Sequence, residues 1–145
     1  MGIFRVFLMV LAVSIAAIFF CFRLMPSDVV NEHYETFAAA EKAGLFTRGW
    51  LPQIIPVSSE KIVITNDLDL NTSSGEFHFS PPELDSFLQK MTPISNASQL
   101  FTKERQRRLV KDGYKPYEFI QHDIRWEFLV DDKQSHALYE MRGRR

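Results

Sequence analysis

The chain is short of the residues on which most catalytic machinery depends. It has one cysteine, Cys21, in 145 residues. That residue lies in the apolar N-terminal run, so the remainder can form no disulfide, no thiolate nucleophile and no cysteine-ligated metal site. The six glycines are scattered singly, without the glycine-rich run that cradles phosphates. No Gly-x-Ser-x-Gly elbow occurs, and the serines fall in capping and turn contexts. The four histidines lie far apart, without the close spacing of a zinc site. Charge of one sign is also lacking: 17 basic residues face 18 acidic ones, a formal net charge of −1. Nucleic-acid binding normally needs a clear basic excess. These absences argue against hydrolase, kinase and dinucleotide chemistry. The expectation is a protein that is not an enzyme, takes no cofactor and binds no nucleic acid.

Aromatic bulk is plentiful, with 13 Phe, four Tyr and two Trp. Large side chains of this kind bury well, so a packed body with one core is expected rather than a disordered chain. Its N-terminal boundary is set by Val6 to Phe22, a run without a charge. Ile3 and Phe4 extend the run if Arg5 reaches outward, and as a helix it can cross a hydrocarbon core of about 30 Å. A cleaved signal peptide needs small residues before the cut, and a lipoprotein needs them ahead of its cysteine. Bulky Ile18, Phe19 and Phe20 stand there instead. Residues 1–25 are therefore expected to be an uncleaved transmembrane signal anchor, single-pass, meeting the lipid bilayer through residues 6–22. Residues 26–145 are expected to be one globular head domain on the periplasmic or extracellular side, although Arg5 and Arg23 nearly balance under the positive-inside rule.

Ser27 and Asp28 suit the start of a helix running to Ala43, with Val30, Tyr34, Phe37 and Ala38 on one stripe and Gly44 as its stop. His33 lies on the polar shoulder of that helix. The next stretch, Arg48 to Asn71, is the densest in local instruction. Pro52 and Pro56 forbid a helix and extend Leu51 and Ile55, so Trp50, Leu51, Ile54 and Ile55 serve as anchors. Gly49 permits a tight approach or a positive φ. Ser58, Ser59 and Glu60 turn the chain into a strand, Lys61 to Thr65.

Gly49-Trp50-Leu51-Pro52, Ile55-Pro56, Ser58-Ser59, Ile62, Asp67-Leu68-Asp69 and Asn71 together resemble the YbbD head domain, a family of small, often membrane-anchored bacterial proteins without an established activity. The resemblance covers about residues 38 to 80, and Leu70 stands where the family often has Thr. It marks Gly49, Trp50, Pro52 and Pro56 as a structural motif and implies no catalytic residue.

Asp67, Asp69 and Asn71 alternate with Leu68 and Leu70, so an extended chain puts three oxygen-bearing side chains on one face. That matches the first ligands of a calcium loop, but Thr72 replaces its turn glycine and His78 stands where a bidentate Glu belongs. The three remain weak candidates for a metal or small-ligand face. The commoner reading is a strand end followed by a polar turn over Asn71 to Gly75. Glu76 to Ser80 then reads as the returning strand of a hairpin, with Phe77 and Phe79 inward and His78 able to meet Asp67 or Asp69 across it.

Ser80-Pro81-Pro82-Glu83 starts a helix whose Leu84, Phe87, Leu88 and Met91 face a core. Thr92-Pro93 ends it, and Ser95 to Ser98 form a loop. Leu100 to Asp112 is a second helix closed by Gly113. Lys103, Arg107 and Lys111 make a basic stripe on it, a candidate contact for lipid phosphates or an acidic partner; the alternative is a solvated face with an internal Glu104–Arg108 pair. Tyr117 to Gln121, Ile124 to Asp131 and His136 to Arg142 read as a three-stranded antiparallel meander with Trp126 in the core. The expected fold is α+β, a transmembrane helix followed by a two-layer domain of antiparallel strands packed by about three helices. The expected role is a head domain binding a protein partner at the membrane. The alternatives are a cation- or ligand-binding domain using Asp67, Asp69 and Asn71, or an immunity or inhibitor protein.

Overall fold

Among the described residues seven strands join in the order β1-β2-β3-β7-β6-β5-β4, every neighbouring pair antiparallel. The computed structural model describes residues 2–23, 28–94 and 100–143. The elements are helix α1 (Gly2–Arg23), strand β1 (Val29–Thr36), helix α2 (Phe37–Lys42), strands β2 (Glu60–Asp67) and β3 (Thr72–His78), helix α3 (Leu84–Leu88), strand β4 (Thr92–Pro93), helix α4 (Lys103–Lys111) and strands β5 (Lys115–Gln121), β6 (Ile124–Asp131) and β7 (His136–Arg142). The Ser27 cap, the Ser95–Ser98 loop and the basic end at Arg144 and Arg145 lie outside the described residues.

Helix α1 spans 22 residues. Among the described residues no helix is long and apolar enough to cross a membrane. Several side chains within α1 are not among those described, so the membrane span expected from Val6 to Phe22 rests on the sequence alone.

The first half of the helix expected from Asp28 to Ala43 is strand instead. Val30 and Tyr34 satisfy a helical period, but Val30, Glu32 and Tyr34 also satisfy a period of two. These three are half-buried while Asn31, His33 and Glu35 are exposed. β-branched Val29, Val30 and Thr36 favour the extended form. The helix starts only after Thr36, whose hydroxyl accepts a hydrogen bond from the Ala39 N–H at 3.2 Å. Gly44, at φ 78°, ends it as expected.

Strand β2 contains the expected Lys61–Thr65 run and forms the expected hairpin with β3. The turn falls earlier than Asn71 to Gly75. Asp67 Oδ1 accepts from the Leu70 N–H at 2.9 Å and Asn71 takes φ 51°, so the chain reverses over Leu68 to Asn71. Gly75 lies mid-strand, between Ile64 of β2 and Tyr139 of β7.

Sides of the sheet follow the period of two. Ile62, Ile64, Phe77, Trp126, Phe128, Val130, Ala137, Tyr139 and Met141 face one core, closed by Ala40, Leu45, Leu51, Ile55, Phe87 and Met91. Leu129 and Leu138 point the other way and are buried with Phe101, against which Leu109 of α4 packs. The two-layer expectation is corrected at this point: α4 covers the back of β6 and β7, so that part of the sheet is sandwiched between two layers. Thr102 caps α4 by accepting from the Arg105 N–H at 3.3 Å, and Gly113 follows it at φ 107°. The three C-terminal strands form the expected meander, with Trp126 buried.

Candidate functional site

The proline-steered stretch before β2 is built as an anchor. Leu45, Leu51 and Ile55 are buried in the main core, Pro52 and Pro56 are buried beside them, and Trp50 and Ile54 are half-buried. Gly49 takes φ 73°, a conformation that L side chains rarely adopt. The Arg48 guanidinium lies 4.1 Å from the Trp50 ring centroid and donates to the Ala43 carbonyl at 2.7 Å. Farther on, Ser59 donates to the Pro56 carbonyl at 2.6 Å, and Ser58 donates through both its N–H and its hydroxyl to Glu83. Gly49, Trp50, Pro52 and Pro56 thus sit where this stretch of backbone turns and is anchored. An open cavity of about 320 Å³ lies beside them, walled by Phe46, Gly49, Pro52, His122 and Trp126.

Asp67, Asp69 and Asn71 do not share the face of an extended strand. Asp67 ends β2, and the turn carries the other two. Leu68 and Leu70 are exposed rather than inward. Asp67 is occupied in holding that turn. The Asp69 carboxyl is raised above its ordinary range, chiefly by the Asp28 carboxylate and a hydrogen bond to it. Among the described residues no group of three or more His, Cys, Asp or Glu stands ready to hold a metal ion.

His78 does not meet Asp67 or Asp69. Its register partners are Glu60 and His136, because Asp67 faces Thr72 at the other end of the hairpin. The His78 and His136 rings stack with centroids 4.4 Å apart. His136 Nδ1 lies 2.8 Å from the Tyr114 hydroxyl and Nε2 lies 3.7 Å from Glu76. Burial, then the charge of His78, lowers the His136 pKa against the opposing pull of Glu76 and Asp131. The sequence placed each histidine on a strand, but nothing local announced that β3 pairs with β7.

Helix α4 presents its cations in two groups. Arg105 pairs with Glu140 at 2.8 Å and lies over the Phe101 ring; Arg108 reaches Glu104 at 3.8 Å. Lys103, Arg107 and Lys111 are exposed and make no ion pair among the described residues. Spaced at i, i+4 and i+8, they form one stripe about two turns long.

No curated protein and no solved structure matches the chain. Residues 28–78 match the family model of the YbbD head domain. The match takes in β1, α2, the anchored loop and the β2–β3 hairpin, starting about ten residues before the stretch that carries the sequence resemblance. The chain carries a YbbD head domain over residues 28–78.

Proposed function

We propose that this protein is a membrane-anchored, non-enzymatic head domain that docks an acidic protein partner. The anchor is residues 6–22, and the body lies on the periplasmic or extracellular side. The observation that carries the reading is the stripe of Lys103, Arg107 and Lys111. These charges stand on a helix whose other face is committed to Phe101, Leu129 and Leu138 through Leu109. Their neighbours Arg105 and Arg108 are neutralised by carboxylates, which leaves a one-signed edge on an otherwise balanced chain. Such an edge steers an anionic partner and fixes its register more than it adds raw affinity.

The test uses the full chain in detergent. Lys103→Glu, Arg107→Glu and Lys111→Glu together are expected to leave the melting temperature nearly unchanged, since exposed unpaired charges contribute little to stability. Capture of the partner from membrane extract should fall and should weaken as salt rises. Capture indifferent to both charge reversal and salt sinks the reading. Retention of anionic vesicles, with no protein captured, replaces the protein partner by lipid.

A further inference from the structure

The two edges of the sheet are unlike. At one end, β4 is two residues long and contains Pro93, a short and blunted edge. At the other end, β1 runs eight residues, Val29–Thr36, with neither Pro nor Lys. Its register with β2 holds a constant sum from Val29↔Asp67 to Tyr34↔Ile62, and the Leu68 N–H donates to the Asp28 carbonyl at 3.1 Å. Up to Tyr34 the even-numbered residues therefore bond to β2, and the backbone groups of Asn31 and His33 point away from the sheet; past Tyr34 the pattern changes, since the Phe37 N–H donates to the Ser59 carbonyl at 2.8 Å.

We propose that β1 pairs antiparallel with β1 of a second copy of this chain, about a twofold axis at His33, to make one continuous sheet. An isologous pairing is self-complementary by symmetry, so each register can be checked on this strand alone. Continuing the sheet keeps each residue opposite one of the same face. Centred on Glu32, the pairing would set Glu32 against Glu32, a like-charge clash. Centred on His33, it sets Glu32 opposite Tyr34 and Asn31 opposite Glu35.

The first pair meets an existing need, and the second is complementary, although Glu35 already bonds His33 of its own strand at 2.8 Å. Glu32 Oε2 is buried with no hydrogen-bond partner among the described residues; burial and then a hydrogen bond to the Glu32 carboxyl raise the pKa of Tyr34 in the same strand, and Tyr34 of the second copy brings a second hydroxyl to Glu32. Asn31 Oδ1 already accepts from the Thr65 hydroxyl at 2.7 Å, so its amide N–H groups are the ones that face the Glu35 carboxylate of the second copy. Because the β4 edge is closed, the assembly stops at two rather than growing into a fibre. The inference does not depend on the α4 contact.

Directly opposed, backbone-bonded residues stand about 5.5 Å apart at Cα, within the span of a disulfide. In full chain carrying Cys21→Ser, His33→Cys is expected to form a disulfide-linked homodimer under mild oxidation roughly tenfold or more faster than Val57→Cys; Val57 is 71% exposed and is not part of β1. His33→Pro removes an outward N–H that an edge strand does not need. It should convert dimer to monomer by light scattering while the melting temperature holds. Cross-linking at position 33 no faster than at 57, or an unsubstituted chain that is already monomeric, overturns the inference. If the thiol introduced by His33→Cys traps a different polypeptide, the second copy is wrong and the inference falls.

Discussion

Gly75 of β3 sits directly across from Tyr139 of β7, and a Cβ built on Gly75 would stand 2.9 Å from a carbon of the Tyr139 ring. The same atom would overlap the backbone carbonyl oxygen of Val63. Neither neighbour can yield: Tyr139 is fully buried and Val63 is held in β2 between β1 and β3. Gly75→Ala should therefore cost about 3 kcal/mol, at the upper end of overpacking changes. Urea unfolding of the full chain in detergent reads the loss as a lower midpoint at unchanged slope. A midpoint within error of the parent would mean that the strands are not this close.

Tyr139 also holds the start of β3. Its hydroxyl lies 3.1 Å from the Ser73 hydroxyl with both residues buried, and burial pushes its pKa well above the ordinary tyrosine range. Tyr139→Phe strands the Ser73 hydroxyl away from water, at a cost of about 1 to 2 kcal/mol. Adding Ser73→Ala removes the orphan and should recover part of that loss. A double-mutant cycle with no coupling energy would show that the hydroxyls do not bond.

What the sequence made legible follows from how locally each element is specified. Ile124, Trp126, Phe128 and Val130 alternate with Arg125, Glu127 and Asp131, broken only at Leu129, and β6 lies there. Pro81, Pro82 and Glu83 form the single 3-10 turn that leads into α3. Val30 and Tyr34 are different: they fit both a helical period and a period of two, and pairing with Tyr34↔Ile62 and Val30↔Asn66 decides for strand. Gly75 read as a turn because turns are the commonest reason for a lone glycine in polar surroundings. Its actual reason, the approach of Tyr139, comes from a strand more than sixty residues away. The Asp67, Asp69, Asn71 face failed for a local reason, since one Asp side chain bonding the Leu70 N–H ends the extension on which the face depended. Lys103, Arg107 and Lys111 were legible as a stripe and Glu104–Arg108 as a pair beside it, whereas the Arg105–Glu140 pair needed the packing of α4 over β7.

The His136 site makes stability depend on acidity. Its folded pKa lies below the ordinary histidine value of about 6.5, because burial and the neighbouring His78 charge outweigh Glu76 and Asp131. Between that folded value and about 6.5 the unfolded chain binds more protons, so stability rises with pH in this window and is lost as pH falls through it. Glu140 has the opposite sense: burial raises its pKa against the pull of Arg105, and its contribution is lost as pH rises through the raised value. The difference between the parent and His136→Gln isolates the histidine. Denaturant midpoints are expected to drop from pH 7 towards pH 5 in the parent and to drop less in the variant. Parallel curves would remove His136 as the cause.

Glu83 ties the proline-steered loop to the segment that leads into α3. Its Oε2 accepts from the Ser58 hydroxyl at 2.7 Å and from the Ser58 N–H at 3.2 Å, and the Ser58 oxygen in turn accepts from the Ser80 N–H at 3.0 Å. Hydrogen bonds to a carboxylate are stronger than neutral ones, about 1.5 to 3 kcal/mol. These join two segments that are 25 residues apart in sequence. Glu83→Ala should therefore destabilise by about 2 kcal/mol. The loss should also be local, because Ile55 and Pro56 stay buried in the core while Val57 and Ser58 are released. Hydrogen exchange at Ser58 and Ser59 is expected to speed up by more than the global loss explains, and Glu83→Gln, which keeps an accepting oxygen, should restore part of the protection. Protection that falls evenly across the sheet would mean that Glu83 supports the fold as a whole and not this loop.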